Sequence, residues 1–187
     1  MREIRTARIR TPWTMLLGCV FIVVVAALPA TAQGGIVASE ASCPGQQNTH
    51  ASERKQEHAM RCLIDHARSA STKSHRALER AAGRKVGDLF DCGFSHTACG
   101  RSFDTYPKRF GYASGTSGWR LGENLAWGKR DRGSARQVLK AWLDSPPHRE
   151  TLLDGSFEHI GVGLRRGHFN GSADAAVWVL VIGCRGC

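Results

Sequence analysis

The chain is poor in aromatic residues, proline and acidic side chains. Aromatics are 7% of 187 residues, so its core must be mostly aliphatic. With six prolines and no internal repeat or low-complexity tract, collagen-like and proline-rich extended forms are excluded. Only 16 acidic residues stand against 26 basic ones, which excludes an acidic disordered tail. No apolar run reaches the roughly 20 residues of a permanent helical span, so a polytopic membrane protein is excluded as well. H-E-x-x-H, the phosphate-binding P-loop and the G-x-S-x-G elbow are all missing. Gly115-Thr116-Ser117-Gly118 is loop chemistry, because no strand-like run precedes it.

The N-terminus has the layout of a secretory signal peptide over residues 1–32. Arg2, Arg5, Arg8 and Arg10 form a basic leader, Met15 to Leu28 is apolar, and Ala30-Thr31-Ala32 supplies a small-x-small cleavage site before Gln33. An uncleaved anchor is the alternative. Leu16-Leu17-Gly18-Cys19 looks like a lipoprotein box, but the apolar run continues past it to Leu28. The remainder is one domain's length and still basic. In an exported protein, that charge points to anionic envelope polymers or lipid head groups rather than nucleic acid. A solvated basic surface is the plainer explanation.

Beyond Cys19 there are six cysteines, an even number that reads as disulfides in an oxidising compartment. Proximity pairs Cys92 with Cys99. Cys43 with Cys62, and Cys184 with Cys187, are the companion assignments. Six cysteines allow 15 pairings, and the spacing alone does not choose among them.

Residues 33–55 are polar and aperiodic and read as a linker or a loosely attached arm, with the main domain over 56–187. Met60, Leu63, Ile64 and Ala67 mark a helix over about 56–71. Leu78, Ala82, Val86 and Leu89 mark another over about 74–90, weakened by Gly83 and Gly87. Phe103, Tyr106 and Phe110 indicate a short helix limited by Pro107. Ser134 is placed to cap a helix carrying Val138, Leu139, Trp142 and Leu143. Pro146-Pro147 stops that helix, and a short one resumes through Leu152 and Leu153. The period then changes. Ile160, Val162 and Leu164 alternate with smaller or polar residues, and 175–184 is apolar on both faces, as in a central strand covered on both sides. Residues 159–184 read as a hairpin with a long, turn-rich loop over 167–174. Asn170-Gly171-Ser172 matches a glycosylation acceptor.

Three polar residues stand in unusual settings. His96 lies inside the proposed Cys92–Cys99 loop, Glu123 precedes Asn124 and an apolar run in GENLAW, and His148 follows two prolines. Singly, each could serve a turn or a cap.

GFSHTACGR, GENLAWG, AWLDSPPHRETLL and HIGVGL, in this order, resemble the CAP domain of cysteine-rich secretory proteins, antigen 5 and pathogenesis-related proteins. The bacterial SCP-like branch is the nearer likeness, and CLIDHAR adds to it, with Asp65 where Asn is usual. The resemblance implies a three-layer α-β-α sandwich with a central, mainly antiparallel sheet. It also implies a cleft lined by two His and two acids. His96 and Glu123 match two of these, and His148 is the candidate second His. The second acid falls at Ser145, and Asp144 is one place off. His96 and His148, with Glu123, make a candidate zinc set, or an acid–base pair. The expected function is that of an extracellular, monomeric, non-catalytic binding module for envelope polymers, lipids or sterols. A metal-dependent hydrolase using the same cleft is the alternative.

Overall fold

The computed structural model describes residues 35–187. The signal-peptide reading therefore falls outside the described residues. Five helices and four strands follow in the order α1 (Glu53–Arg68), β1 (Lys73–Ser74), α2 (Arg76–Cys92), α3 (Thr105–Arg109), β2 (Trp119–Lys129), α4 (Ala135–Asp144), α5 (Pro146–Leu153), β3 (His159–Phe169) and β4 (Ser172–Arg185). The sheet order is β1-β3-β4-β2. The three long strands are antiparallel neighbours, and the two-residue β1 pairs parallel with β3.

β4 is the centre of the molecule because both of its faces are apolar. Ala176, Trp178, Leu180 and Ile182 pack toward α1, α4 and α5. Val177, Val179 and Val181 pack toward α2. Strand side chains alternate between faces, so one continuous apolar run supplies two cores. The result is the expected α-β-α sandwich.

Several local expectations change. The hairpin loop is not long: β3 and β4 turn through Asn170 and Gly171, with φ of 45° and 74°. That is the two-residue turn Asn-Gly favours, since both positions need a left-handed backbone. The segment read as a loose arm is packed against the domain. Ala38, Cys43 and Gln46 are buried, and the Gln46 amide donates to the carbonyls of Ala38, Ser39 and Cys43. Its aperiodicity hid this, because polar side chain-to-backbone bonds leave no hydrophobic rhythm. The first helix accordingly starts at Glu53. The diproline both ends α4 and begins α5, where missing N–H groups cost nothing. The disulfides are Cys43–Cys62, Cys92–Cys99 and Cys184–Cys187.

β3 pairs with β1 only at His159 and Ile160, so the rest of that edge needs other acceptors. Glu57 and Glu53 of α1 supply them, accepting from the amides of Leu164 and Arg166 at 2.9 and 2.8 Å. This covers an edge that would otherwise pair with another chain.

At the start of α2, His75 is the N-cap, and its Nδ1 accepts from the Ala77 amide. It stacks edge-on with Tyr112 and His159, at centroid distances of 4.8 and 5.1 Å. The Tyr112 hydroxyl and His159 Nδ1 share a hydrogen bond at 3.1 Å. The cap bond needs a neutral His75 imidazole. Burial, chiefly, lowers the pKa of both rings. The charges of His159 and Arg185 add to this for His75, and those of Lys73 and Arg185 for His159, while Glu79 and Glu158 respectively oppose it. Burial pushes Tyr112 up to about 12, so its hydroxyl keeps its proton. A histidine depressed in the folded state binds fewer protons there than when unfolded. Stability is therefore greatest above the unfolded value, about 6.5, and falls as pH drops toward the folded values. His75→Asp keeps an N-cap acceptor and removes one such group. Denaturant titrations at pH 7.5 and 5 are expected to show a smaller acid loss in this variant than in wild type. Equal losses would refute it.

Candidate functional site

One of the two 11-residue strands is the one the hydrophobic pattern did not announce. β2 runs Trp119–Lys129 and is an edge strand, paired only with β4. Glu123 lies opposite Val181, so its side chain faces the α2 layer. Asn124 lies opposite Leu180 and faces the α4–α5 layer. Two consecutive polar residues therefore serve opposite sides of one edge.

On the α2 side, Glu123 Oε1 meets His96 Nδ1 at 2.7 Å. The carboxylate is 2% exposed and the imidazole 54%, so the pair presents a ring to solvent from a buried anchor. The Cys92–Cys99 bridge closes the loop that carries His96. Lys85, itself buried, donates from Nζ to the His96 carbonyl at 2.6 Å. Burial lowers the Lys85 pKa, and the nearby Glu123 and Asp88 carboxylates oppose that shift. Glu123 Oε2 is buried with no protein partner. An unpaired carboxylate oxygen in such a place is costly unless something donates to it.

On the other side, the Asn124 amide donates to the His148 carbonyl at 2.9 Å. The His148 ring is tied through Nδ1 to Ser145 Oγ at 2.9 Å. Ser145 is the N-cap of α5 and His148 its third residue. From the cap position the serine hydroxyl bonds that ring and no helix amide, and Pro147 offers it no N–H. Burial lowers the His148 pKa, and its proximity to His96 adds to the shift. The structure thus joins His96 to Glu123 directly, and brings His148 near them around the edge of β2 without a bond to either.

His96 Nδ1 is held by Glu123 and His148 Nδ1 by Ser145, so each ring keeps Nε2 for a ligand. Among the described residues, no group of three or more His, Cys, Asp or Glu side chains is arranged to hold a metal ion.

Sequence reasoning marks Asn124 without giving it a role, and misses Lys85 and the Ser145 pairing. Lys85 was visible in principle, since it falls on the face defined by Leu78, Ala82 and Leu89, where a lysine is out of place. Ser145 was read only as a missing acid. The His75–Tyr112–His159 cluster gave no signal, because its members come from a cap, a loop and a strand start.

Residues 48–182 match the cysteine-rich secretory protein (CAP) family. An uncharacterized protein, YkwD, of Bacillus subtilis (strain 168) is 37% identical over 89 residues, which is 46% of this chain and 32% of that protein. A crystal structure of an extracellular protein containing a SCP domain, from Bacillus anthracis str. Ames, superposes with a TM-score of 0.55 at 20% identity. That alignment covers 70% of this chain and 40% of the other. The chain thus spans about a third of the curated relative and two fifths of the solved structure, and the second likeness speaks to the fold alone. No helix among the described residues is long and apolar enough to cross a membrane. By its sandwich, its GENLAW strand and the matched span of residues 48–182, the chain belongs to the cysteine-rich secretory protein family.

Proposed function

We propose that this is an exported CAP-domain binding module acting at the cell envelope, without catalysis, and that it holds its ligand at the His96–Glu123 cleft. The observation that carries this reading is the buried, unpartnered Oε2 of Glu123. An acceptor of that kind, beside a half-exposed imidazole, suits a ligand that brings a hydrogen-bond donor such as a sugar or sterol hydroxyl or an amine. Two features weigh against hydrolysis. All six cysteines of the described domain are in disulfides, which removes a thiol nucleophile. The one serine bonded to a cleft imidazole, Ser145, is fixed at the N-cap position of α5, one turn before that ring. Export is supported by the N-terminal leader in the sequence and by the three disulfides.

Retention on purified envelope fractions tests the reading. Glu123→Gln keeps the volume and an acceptor for His96 but removes the charge from the ligand's partner. A charged hydrogen bond contributes about 1.5–3 kcal/mol, so retention is expected to fall by roughly 10- to 100-fold. His96→Ala should weaken it as well. Melting temperatures close to wild type separate lost binding from lost folding. Retention unchanged in both variants would remove the cleft as the binding site.

A further inference from the structure

A second surface, away from Glu123, has the features of an anion site. Arg76, Arg80 and Arg84 recur every fourth residue along α2 and are exposed. At about 1.5 Å rise per residue they form a row with steps of about 6 Å on one helix face. That arrangement works against the helix. Like charges four apart destabilise it by about 0.2–0.5 kcal/mol per pair, and Arg76 sits in the first turn, where a cation opposes the helix dipole. The row is not neutralised within the fold. None of Arg76, Arg80 and Arg84 forms an ion pair among the described residues, nor does Arg109. Two α2 carboxylates that could have served are engaged elsewhere: Glu79 bonds Arg61 and Ser74, and Asp88 bonds Arg101 and Tyr106.

Beside this row lies an open groove of about 680 Å³, lined by Arg80, Gly83, Arg84, Arg109, Phe110 and Gly111. Arg109 stands across from the α2 arginines, at the end of α3. The Arg80 guanidinium lies 4.0 Å over the Phe110 ring, which holds a long side chain in place before any ligand arrives. Gly83 adds no side chain between Arg80 and Arg84, and a Cβ there would meet nothing within 4 Å. The groove therefore has three guanidinium groups, one of them pre-positioned, and no acid to satisfy them.

We propose that this groove binds a linear polyanion with phosphate in its main chain, gripped by Arg80, Arg84 and Arg109, with Arg76 extending the track. Guanidinium forks match phosphate oxygens two at a time. A phosphate polymer carries its charges along its backbone at regular steps, as the α2 row does. An acidic peptide carries its charges on flexible side arms that alternate in direction, and a flat bilayer presents head groups to a plane rather than to a recess.

Binding of the full chain to inorganic polyphosphate, followed by titration at several salt concentrations, tests this. Three phosphate contacts give a slope of about −2 in log affinity against log salt. Affinity is then expected to fall about 16-fold between 50 and 200 mM. Arg84→Ala/Arg109→Ala should reduce that loss to about threefold and weaken binding at 50 mM by more than tenfold. Its melting temperature should not fall, since the change removes a like-charge neighbour and adds a good helix former. Arg132→Ala/Lys140→Ala removes equal charge from another surface and should leave the slope unchanged. So should Glu123→Gln, which separates this site from the cleft. No measurable binding to polyphosphate, an unchanged slope in the groove variant, or an equal loss in the Arg132/Lys140 control would overturn the proposal. Tighter binding to polyglutamate or to phosphatidylglycerol vesicles than to polyphosphate would overturn it too.

Discussion

Replacing Gly161 by alanine is expected to destabilise the domain by about 3 kcal/mol, the upper end for an overpacked core, and to lower its melting temperature by roughly 6–12 °C. Gly161 and Gly163 lie opposite Val181 and Val179, on the sheet face that meets α2. A methyl group on Gly161 would run into the backbone of Leu78 and Glu79, and one on Gly163 would lie 2.7 Å from the Ala82 carbonyl carbon. Two strand residues advance about 6.6 Å and four helix residues about 6 Å, so successive glycines of β3 meet successive turns of α2. The helix thus lies against the strand backbone itself. Backbone does not yield as a side-chain tip would, so the cost falls on the whole α2–β3 contact. The same shift would carry Lys85 away from the His96 carbonyl, loosening the cleft along with the core. Gly87→Ala supplies the contrast. Its Cβ would meet nothing within 4 Å, and an interior helix position gains about 0.5–1 kcal/mol from the exchange. Thermal melts of the two variants should move in opposite directions. A Gly161→Ala protein melting within a degree or two of wild type would contradict the close approach.

What the sequence made legible follows from how each part is held. β4 announced itself because a strand buried on both faces must be apolar throughout, and 175–184 is. α1 and α4 announced themselves through one-sided burial, which leaves a helical rhythm. β2 did not. As an edge strand beside a cleft it buries Glu123 and Asn124 where a core strand would bury aliphatic side chains, so the alternation that identifies a strand is broken where the site is built. The family likeness named Glu123 and His96 directly, and a hydrogen bond joins the two. It left the partners of His148 dark, because Ser145 holds its ring and Asn124 its backbone carbonyl, and neither contact has a motif. The polar segment before α1 was opaque for the same reason: Gln46 holds it through three carbonyls, and Arg136 of α4 bonds both Ala38 O and Gln46 Oε1. The arginine row on α2 was in plain view, yet its significance depends on Arg109 and Phe110, which only the fold brings alongside.

Trp142→Ala is expected to cost about 3–5 kcal/mol, the range for deleting a large buried aromatic. Trp142 is 1% exposed at the centre of the α1–α4–sheet core. Its indole N–H donates to the Leu125 carbonyl at 3.2 Å, which ties α4 to β2 two residues from Glu123. Because β2 is bonded on one side only, that link supplies restraint its missing neighbour strand cannot. Truncation to alanine would remove the packing and leave a buried carbonyl without its donor. Trp142→Phe separates the two contributions: it keeps most of the apolar volume and loses the N–H, and should cost about 1–3 kcal/mol for the unsatisfied carbonyl. Denaturant unfolding gives both values. Amide hydrogen exchange then distinguishes a local from a global effect. In Trp142→Phe, exchange along β2 should quicken more than along β4, which is held by strands on both sides. An alanine variant within 1 kcal/mol of wild type would show that α4 does not anchor the edge strand. Equal acceleration of β2 and β4 in the phenylalanine variant would show that the indole bond stabilises the whole core rather than the edge carrying Glu123.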